Sequence, residues 1–272
     1  RPLLDSINTV AQVLNNAGYK TGMVGKWGLG APNTNSIPNK KGFDFFYGYN
    51  CQRQAHTFYP THLWKNESRH ILDNYIVTKQ EGLGDLDPND PISYNKYNQK
   101  DYAPTLMHKE SIDFITRNKN SPFFLYYASP IPHLPLQAPK KWVNYYEKKF
   151  GEEKPYTGKS YYPNKTPKAT YAAMISYLDE QVGDLVSKLK EIGQYENTLI
   201  VFTSDNGPTW VDHVDYNFFN STGKFINSRR TMKGSVSEGG IRVPMIASWP
   251  NKIKPNSKSD HISAFYDFFE TA

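Results

Sequence analysis

The sequence predicts an α/β protein organised as a sandwich around a largely parallel sheet. Apolar residues at helical spacing alternate along the chain with short apolar runs of strand length. The pattern is clearest where the helical stretch "KATYAAMISYLDEQVGDLVSKLKEIG" precedes "NTLIVFTS", which we predict to be a buried strand. Such alternation is typical of α/β proteins with a mainly parallel sheet.

The predicted elements follow one another in a regular order. The stretch "INTVAQVLNNAG" predicts a helix that Gly18 ends, and "YKTGMVG" predicts a strand that leads into a glycine-rich loop. A helix in "TLMHKESIDFITRNKN" precedes "SPFFLYYAS", which we expect to be a central strand, and the loop "PIPHLPLQAP". The last strand lies in "GGIRVPMIASWP". From residue 31 to about 101, and again up to about 167, we expect loops and short strands.

The composition limits the classes of function. The 272 residues contain no internal repeat or linker, so we expect a single domain over residues 1–272. The net charge of +6 favours anionic partners, but no basic run interleaved with aromatic residues indicates nucleic acid. No apolar stretch approaches the roughly 18 residues of a membrane span. The 20 tyrosines and 15 phenylalanines fit either a carbohydrate-binding surface or an ordinary aromatic core.

Four polar loops are predicted to lie at one edge of the sheet. Lys26, His133 and the Asp205–Asn206 pair each follow a predicted strand, and Lys233 precedes the last one. Because ligands of open parallel sheets bind at the carboxyl ends of the strands, these residues are candidates for one site. Each feature alone has a simpler explanation, namely solvated loops for the lysines and the histidine, and an Asx turn for "DNG".

The chemistry of these residues suits an anion and a divalent cation. Asp205 and Asn206 offer carboxylate and amide oxygens, which Ca²⁺ and Mg²⁺ prefer as ligands. Lys26 lies among glycines, where the backbone can approach a ligand closely, and its ammonium would neutralise an anion. His133 lies on a proline-fixed loop, as a hydrogen-bond donor or a proton carrier would require.

Four stretches together resemble the type I sulfatases of the alkaline-phosphatase-like superfamily. They are "GYKTGMVGKWGLG", "FFLYYASPIPHLPLQAP", "YAAMISYLDEQVGDLVSKLKEIGQYENTLIVFTSDNG" and "KGSVSEGGIRVPMIASWP", and they occur in the order of the family. The stretch "GFDFFYGYNCQRQAHTFYPTHLWKN" looks like the bacterial sulfatases that act on polysaccharides. The resemblance implies a three-layer α/β/α sandwich with a largely parallel central sheet.

The resemblance also implies roles for individual residues. Asp205 and Asn206 match half of a Ca²⁺ site, with Mg²⁺ less favoured. Lys26 and Lys233 match lysines that hold the sulfate, and His133 matches a histidine that contacts the sulfate or the leaving oxygen. A divalent cation and two lysines would stabilise the charge that develops as a sulfate ester is cleaved.

Two features depart from the family pattern. Gly28 stands where many members carry the histidine of GKWHLG, and His56 is our candidate to replace it. The formylglycine motif C/S-x-P-S-R and two aspartate ligands of the metal do not occur in residues 1–272, and Cys51 lacks the motif. We therefore expect the formylglycine nucleophile upstream of Arg1 and a further subdomain after the last residue, so that the domain is incomplete at both ends.

The sequence therefore predicts a sulfatase that removes sulfate from a sulfated glycan or another sulfate ester, with this segment itself inactive. Arg53, His56, His213 and Asp215 lie in loops beside the motifs and are candidate substrate contacts. Two alternatives stay open: a phosphodiesterase or phosphonate hydrolase of the same superfamily, and a non-catalytic protein that binds sulfated glycans. The resemblance also implies a periplasmic or secreted protein.

Overall fold

The computed structural model describes residues 2–78, 82–225 and 228–272, and it confirms the predicted α/β class. The described helices are α1 (Val10–Asn16), α2 (Ala103–Arg117), α3 (Lys140–Phe150), α4 (Pro167–Glu191), α5 (Glu238–Ile241) and α6 (Asp267–Thr271). The described strands are β1 (Lys20–Lys26), β2 (Phe45–Tyr49), β3 (His62–Lys65), β4 (Ser68–Ile71), β5 (Phe123–Ala128), β6 (Ile200–Thr203) and β7 (Met245–Ser248).

Three adjacent strands of the larger sheet are parallel. β1 lies between β2 and β5 and pairs with both in parallel, and the antiparallel strands β3 and β4 extend the sheet beyond β2. The register places Lys26 opposite Tyr49 of β2 and Gly25 opposite Ala128 of β5. The carboxyl ends of these three strands therefore meet at one edge, where ligands of such sheets bind.

Alternate side chains of β1 face different helical layers, because successive residues of a strand point to opposite faces. Met23 belongs to a buried cluster with Ala11 of α1, whereas Val24 belongs to a cluster with Met107 and Phe114 of α2. Both β1 side chains are fully buried. The sheet is therefore the middle layer of a sandwich, and α4 packs against α2 and α3 outside it.

Two details of the predicted sheet are wrong. β5, expected at the centre, is an edge strand of the five-stranded sheet, and its Tyr126 is 49% exposed. β6 and β7 form a separate antiparallel pair, and Val201 and Phe202 of β6, expected to be buried, are each 39% exposed. The reason is that β5 and β6 each pair with one neighbour only in the described part of the chain.

Two elements lie in stretches that were expected to be irregular. β2 is buried at all five of its residues and lies between β1 and β3. α3 packs along α4, where Lys141 and Trp142 both donate hydrogen bonds to the Glu180 carboxylate, at 2.9 and 2.5 Å. Both β2 and α3 are therefore ordered elements that pack against the rest of the fold.

Candidate functional site

The backbone of β1 brings Lys26 to the edge of the sheet. Gly25, just before it, has a φ of +122°, and a Cβ there would lie 1.9 Å from the carbonyl oxygen of Ala128. Only glycine fits this close approach of β1 to β5. Lys26 itself is half-buried and forms no ion pair with any residue that the structure describes. Its ammonium is therefore available to an anionic ligand.

His133 is held on a loop that is anchored on both sides. Leu134 and Leu136 are buried in a cluster with Met174 and Tyr177 of α4, which fastens the loop that follows β5. The Nδ1–H of His133 donates to the carbonyl oxygen of Leu134 at 2.7 Å, because a carbonyl can only accept. This bond fixes the tautomer and leaves Nε2 as the nitrogen that can bind a proton or a ligand.

The surroundings of His133 keep its imidazole neutral. Burial, the largest cause, lowers the pKa of His133, the hydrogen bond to Leu134 raises it, and the charges of Lys233, Lys26 and His56 lower it. Together they bring the pKa from its ordinary value of 6.5 to about 4. The same charges show that the structure brings these four side chains into one electrostatic neighbourhood. Lys26 and Lys233 are thus near enough to His133 to act on it electrostatically, and their common role at one site stays a prediction.

Lys233 faces the same site from the loop that precedes α5. Its backbone N–H donates to the carbonyl of Pro208 at 3.0 Å, which ties it to the turn that carries Asp205. Burial lowers the pKa of Lys233, Lys26 lowers it further, and Asp205 acts in the opposite direction. Like Lys26, Lys233 is half-buried and has no ion-pair partner within 4 Å among the described residues.

Asp205 and Asn206 offer two oxygen donors on a fixed turn. The backbone of Gly207 donates to the carbonyl of Gly240 at 2.8 Å, and the Asn206 Nδ2 donates to the carbonyl of Gly207 at 2.9 Å, so that its Oδ1 points elsewhere. The Asp205 carboxylate is exposed and accepts no hydrogen bond from a described residue. An Asx turn, the simpler explanation for "DNG", is therefore not formed.

These two donors fit part of a Ca²⁺ site rather than a complete one. Ca²⁺ takes six to eight oxygen ligands, most of them from carboxylates, carbonyls and water. Over the described ranges, no group of three or more His, Cys, Asp or Glu residues could hold a metal ion. Asp205 and Asn206 are thus compatible with the predicted half of a Ca²⁺ site, and the described residues supply no larger cluster of ligands around them.

Four aromatic rings form a connected cluster beside His133. The His56 ring stacks on the His133 ring, with centroids 5.6 Å apart and an interplanar angle of 4°. Tyr161 contacts both histidines edge-on, and its ring centroid lies 6.2 Å from that of His213, which in turn stacks on Tyr156 at 3.9 Å. The fold therefore brings His56 and His213, 157 positions apart in the printed numbering, to one wall beside the site.

The other two candidate substrate contacts lie differently. Arg53 is exposed, in the turn before the 3-10 helix Gln54–His56, and the structure shows no contact of its side chain with the site. Asp215 has a φ of +54°, and its Oδ1 accepts the backbone N–H of Phe218 at 3.1 Å. Its carboxylate caps a local turn, so both residues stay predictions without support from the geometry.

Gly28 explains the departure from the family pattern in physical terms. Its φ is +74°, a left-handed conformation that strains any L side chain. A histidine could therefore not simply be added at this position. The His56 ring stacks on that of His133, and His56 stays our candidate to replace the missing histidine.

Sequence reasoning missed three residues near the site. Tyr161 and Trp210 lie in stretches without periodicity, and only their aromatic character offered a signal. Asn50 directly follows β2, is 2% exposed, and its Oδ1 has no hydrogen-bond partner in the part of the chain that the structure describes. Its position, next to the residue paired with Lys26, could be recognised only once β2 was placed in the sheet.

We predict that His133 titrates near pH 4 in the free protein and at a higher pH when sulfate is bound. Because the pKa of His133 is lower in the folded state than in the unfolded state, His133 contributes to the stability of the folded state above pH 6.5. This contribution is lost as the pH falls from 6.5 through about 4. An anion between the lysines would offset their charge and raise the pKa. Imidazole ¹⁵N chemical shifts followed by NMR would measure both midpoints, and a free-protein midpoint at or above 6.5 would contradict the prediction.

The fold places basic side chains at the carboxyl edge of a mainly parallel sheet, the edge at which α/β proteins bind their ligands. Residues 2–272 match the family model described as Sulfatase. The chain therefore belongs to the sulfatase family.

Curated relatives agree with this family. The chain is 28% identical to mouse arylsulfatase G over 285 residues, which cover 97% of this chain and 48% of the relative. It is 29% identical to mouse N-acetylgalactosamine-6-sulfatase over 271 residues, covering 98% of this chain and 45% of the relative. The chain thus spans about half the length of these relatives.

Solved structures share the fold. The structure of Ps i-CgsB in complex with k-i-k-neocarrahexaose superposes with a TM-score of 0.65 at 27% identity, over 92% of this chain and 49% of that one. A sulfatase structure from Bacteroides thetaiotaomicron, from work on its metabolism of glycosaminoglycans, gives a TM-score of 0.66 over 93% of this chain and 57% of that one. At 22% identity the second likeness shows the fold alone. No helix in the described residues is both long and apolar enough to cross a membrane.

Proposed function

We propose that the complete protein is a sulfuric ester hydrolase that removes sulfate from a sulfated carbohydrate. The observation that carries this proposal is the pair of half-buried lysines, Lys26 and Lys233, beside a neutral His133. Neither lysine has an ion-pair partner among the described residues. Two ammonium groups without an ion-pair partner within 4 Å, in a partly buried site, stabilise an anion more than they would in water.

The residues of this chain divide the work between charge and proton transfer. Lys26 and Lys233 would bind the sulfate oxygens and hold the ester in place. The negative charge of the bound ester would raise the pKa of His133, so that its Nε2 takes up a proton. That proton could then be donated to the leaving oxygen as the bond from sulfur to the alcohol oxygen breaks.

We further propose that Asp205 and Asn206 provide two ligands of a Ca²⁺ ion, which when bound would add positive charge beside the sulfate. The free Asn206 Oδ1 and the exposed Asp205 carboxylate support this. The nucleophile that the family resemblance implies would be a formylglycine. A periplasmic or secreted location fits the same resemblance.

The choice of a carbohydrate rests on the wall beside the site and on the relatives. Tyr161, His56 and His213 offer ring faces and polar edges, the combination that packs against sugar rings while forming hydrogen bonds. Relatives include an N-acetylgalactosamine-6-sulfatase, and a similar structure contains k-i-k-neocarrahexaose. Both are consistent with a sulfated glycan as the substrate.

The experiment is to incubate the complete gene product, in Ca²⁺ buffer, with a panel of sulfated oligosaccharides. Sulfate release is followed by ion chromatography, and mass spectrometry checks that the product is lighter by one SO₃, as expected when the ester oxygen remains as a hydroxyl. We expect release from at least one glycan. Binding of the same glycans without any release would favour the non-catalytic alternative and overturn the proposal.

A further inference from the structure

A basic groove adjoins the proposed sulfate site. It has a volume of about 550 Å³ and lies between Trp210 and the loop from Arg229 to Val236. This volume falls within the range of small-molecule sites. Lys233, one of the two proposed sulfate-binding residues, lines the groove, so the groove opens directly onto that site.

A tight turn presents two arginines to the groove. The backbone N–H of Thr231 donates to the carbonyl of Ser228 at 3.0 Å, which places Arg229 and Arg230 at the centre of the turn. Both arginines are exposed, and neither forms an ion pair with a described residue. Both arginines thus line the groove without a carboxylate partner among the described residues.

Trp210 orients one of these guanidinium groups. The Arg229 Cζ lies 4.3 Å from the centroid of the Trp210 ring, within the distance of a favourable cation–π contact. A guanidinium stacked in this way keeps its N–H groups at the edge, where they can bind a planar or tetrahedral anion. Because the contact already restricts the Arg229 side chain, less conformational entropy is lost when Arg229 binds such a ligand.

The groove is fixed relative to the sulfate site by hydrogen bonds. The Trp210 Nε1–H donates to the carbonyl of Lys233 at 3.0 Å, and the backbone N–H of Lys233 donates to the carbonyl of Pro208. The floor of the groove and the sulfate-binding lysine thus belong to one hydrogen-bonded unit. The distance between an anion bound in the groove and a sulfate bound at Lys233 would therefore be fixed.

The charge of the groove selects its ligand. Its lining contains Arg229, Arg230 and Lys233 and no acidic residue. Glu238, two positions beyond Val236, is bound to Arg242 at 2.8 Å, and Asp205 is the acid whose charge acts on Lys233. We propose that this groove binds a second anionic group, a sulfate or a carboxylate, on the sugar next to the one that presents its sulfate to Lys26 and Lys233.

The inference rests on the proposed function and narrows it to glycans with charges on neighbouring units. A substrate with a single sulfate would use Lys26 and Lys233 alone. A substrate with two anionic groups would also contact Arg229. The second contact is expected to strengthen binding of the whole oligosaccharide because both groups are presented by one molecule.

The test measures equilibrium binding of three fluorescent heparin tetrasaccharides to the complete protein. One is unmodified, one is carboxyl-reduced, and one is desulfated, so that the arms distinguish sulfate from carboxylate. Arg229→Ala is compared with Arg117→Ala, whose guanidinium stacks on Phe45 at 5.0 Å at the opposite, amino-terminal end of β2. Each variant removes one exposed arginine whose guanidinium contacts an aromatic ring.

We expect Arg229→Ala to weaken binding of the unmodified tetrasaccharide about tenfold, as removal of one charge-assisted contact does. Arg117→Ala should change it less than about twofold. If the difference between the two variants persists with the carboxyl-reduced tetrasaccharide, the group bound in the groove is a sulfate. If it persists with the desulfated tetrasaccharide, the group is a carboxylate. Equal affinities of the two variants, or no binding of any tetrasaccharide by the unsubstituted protein, would overturn the inference. Because binding is measured without turnover, the result stands whether or not sulfate is released.

Discussion

Replacement of Lys233 by methionine is expected to lower kcat/KM for sulfate ester hydrolysis by about 100- to 1,000-fold, the loss seen when one preorganised charge-stabilising group is removed. Methionine keeps an unbranched apolar side chain and removes the charge, so the change tests electrostatics rather than packing. The effect should be large because Lys233 is half-buried and unpaired, and its pKa is already lowered by burial and by Lys26. Lys26→Met should have an effect of similar size.

The two lysine substitutions should not be additive, because both charges act on the same anion. The control is Lys258→Met, since Lys258 is exposed and lies outside the site, and its kcat/KM should stay within about twofold of the unsubstituted value. Steady-state rates with an aryl sulfate, together with thermal melting curves, separate lost catalysis from lost folding. Unchanged rates in both Lys26→Met and Lys233→Met would show that the sulfate binds elsewhere.

Replacement of Asp205 by asparagine is expected to abolish the stabilisation of the complete protein by Ca²⁺ and to reduce its activity by two orders of magnitude or more. A ligand at about 100 times its Kd stabilises a protein by about 2.7 kcal/mol, so bound Ca²⁺ should raise the melting temperature measurably. Asparagine preserves the shape of Asp205 but removes the negative charge that a hard cation prefers. Melting curves with Ca²⁺ and with a chelator measure the difference.

Asp260→Asn is the matched control, because Asp260 is an exposed carboxylate in the last part of the chain. It should retain the full shift in melting temperature with Ca²⁺. A shift of the same size in Asp205→Asn would place the cation away from the turn that follows β6. Asn206→Ala should weaken the Ca²⁺ response less, since it removes a neutral donor.

Helices α1, α2 and α4, and the convergence of strand ends at one edge of the sheet, could be predicted from the sequence because local patterns determine them. The apolar spacing in α2 and α4 is long enough to exceed chance, and glycines mark the ends of α1 and α4. Lys26, His133 and Lys233 could be grouped because strand ends in α/β folds converge on one edge. No property of a single residue would have grouped them.

The order of the strands could not be predicted because it depends on contacts distant in sequence. β2 has the aromatic run "FFYGY", but it is surrounded by asparagine, proline and glycine. For this reason the sequence predicted irregular structure there. The edge position of β5 and the exposure of β6 follow from pairing, and a short apolar run looks the same in either place. The groove at Trp210 depends on a contact across 19 positions with Arg229, and no local pattern encodes it.

The most direct measurement compares 4-nitrophenyl sulfate with bis(4-nitrophenyl) phosphate and a phosphonate monoester as substrates of the complete protein. The site described above predicts a higher kcat/KM for the sulfate ester, lost in Lys233→Met. A higher kcat/KM for the phosphodiester or the phosphonate, with little turnover of the sulfate, would contradict the assignment. It would instead support the phosphodiesterase alternative on the same fold.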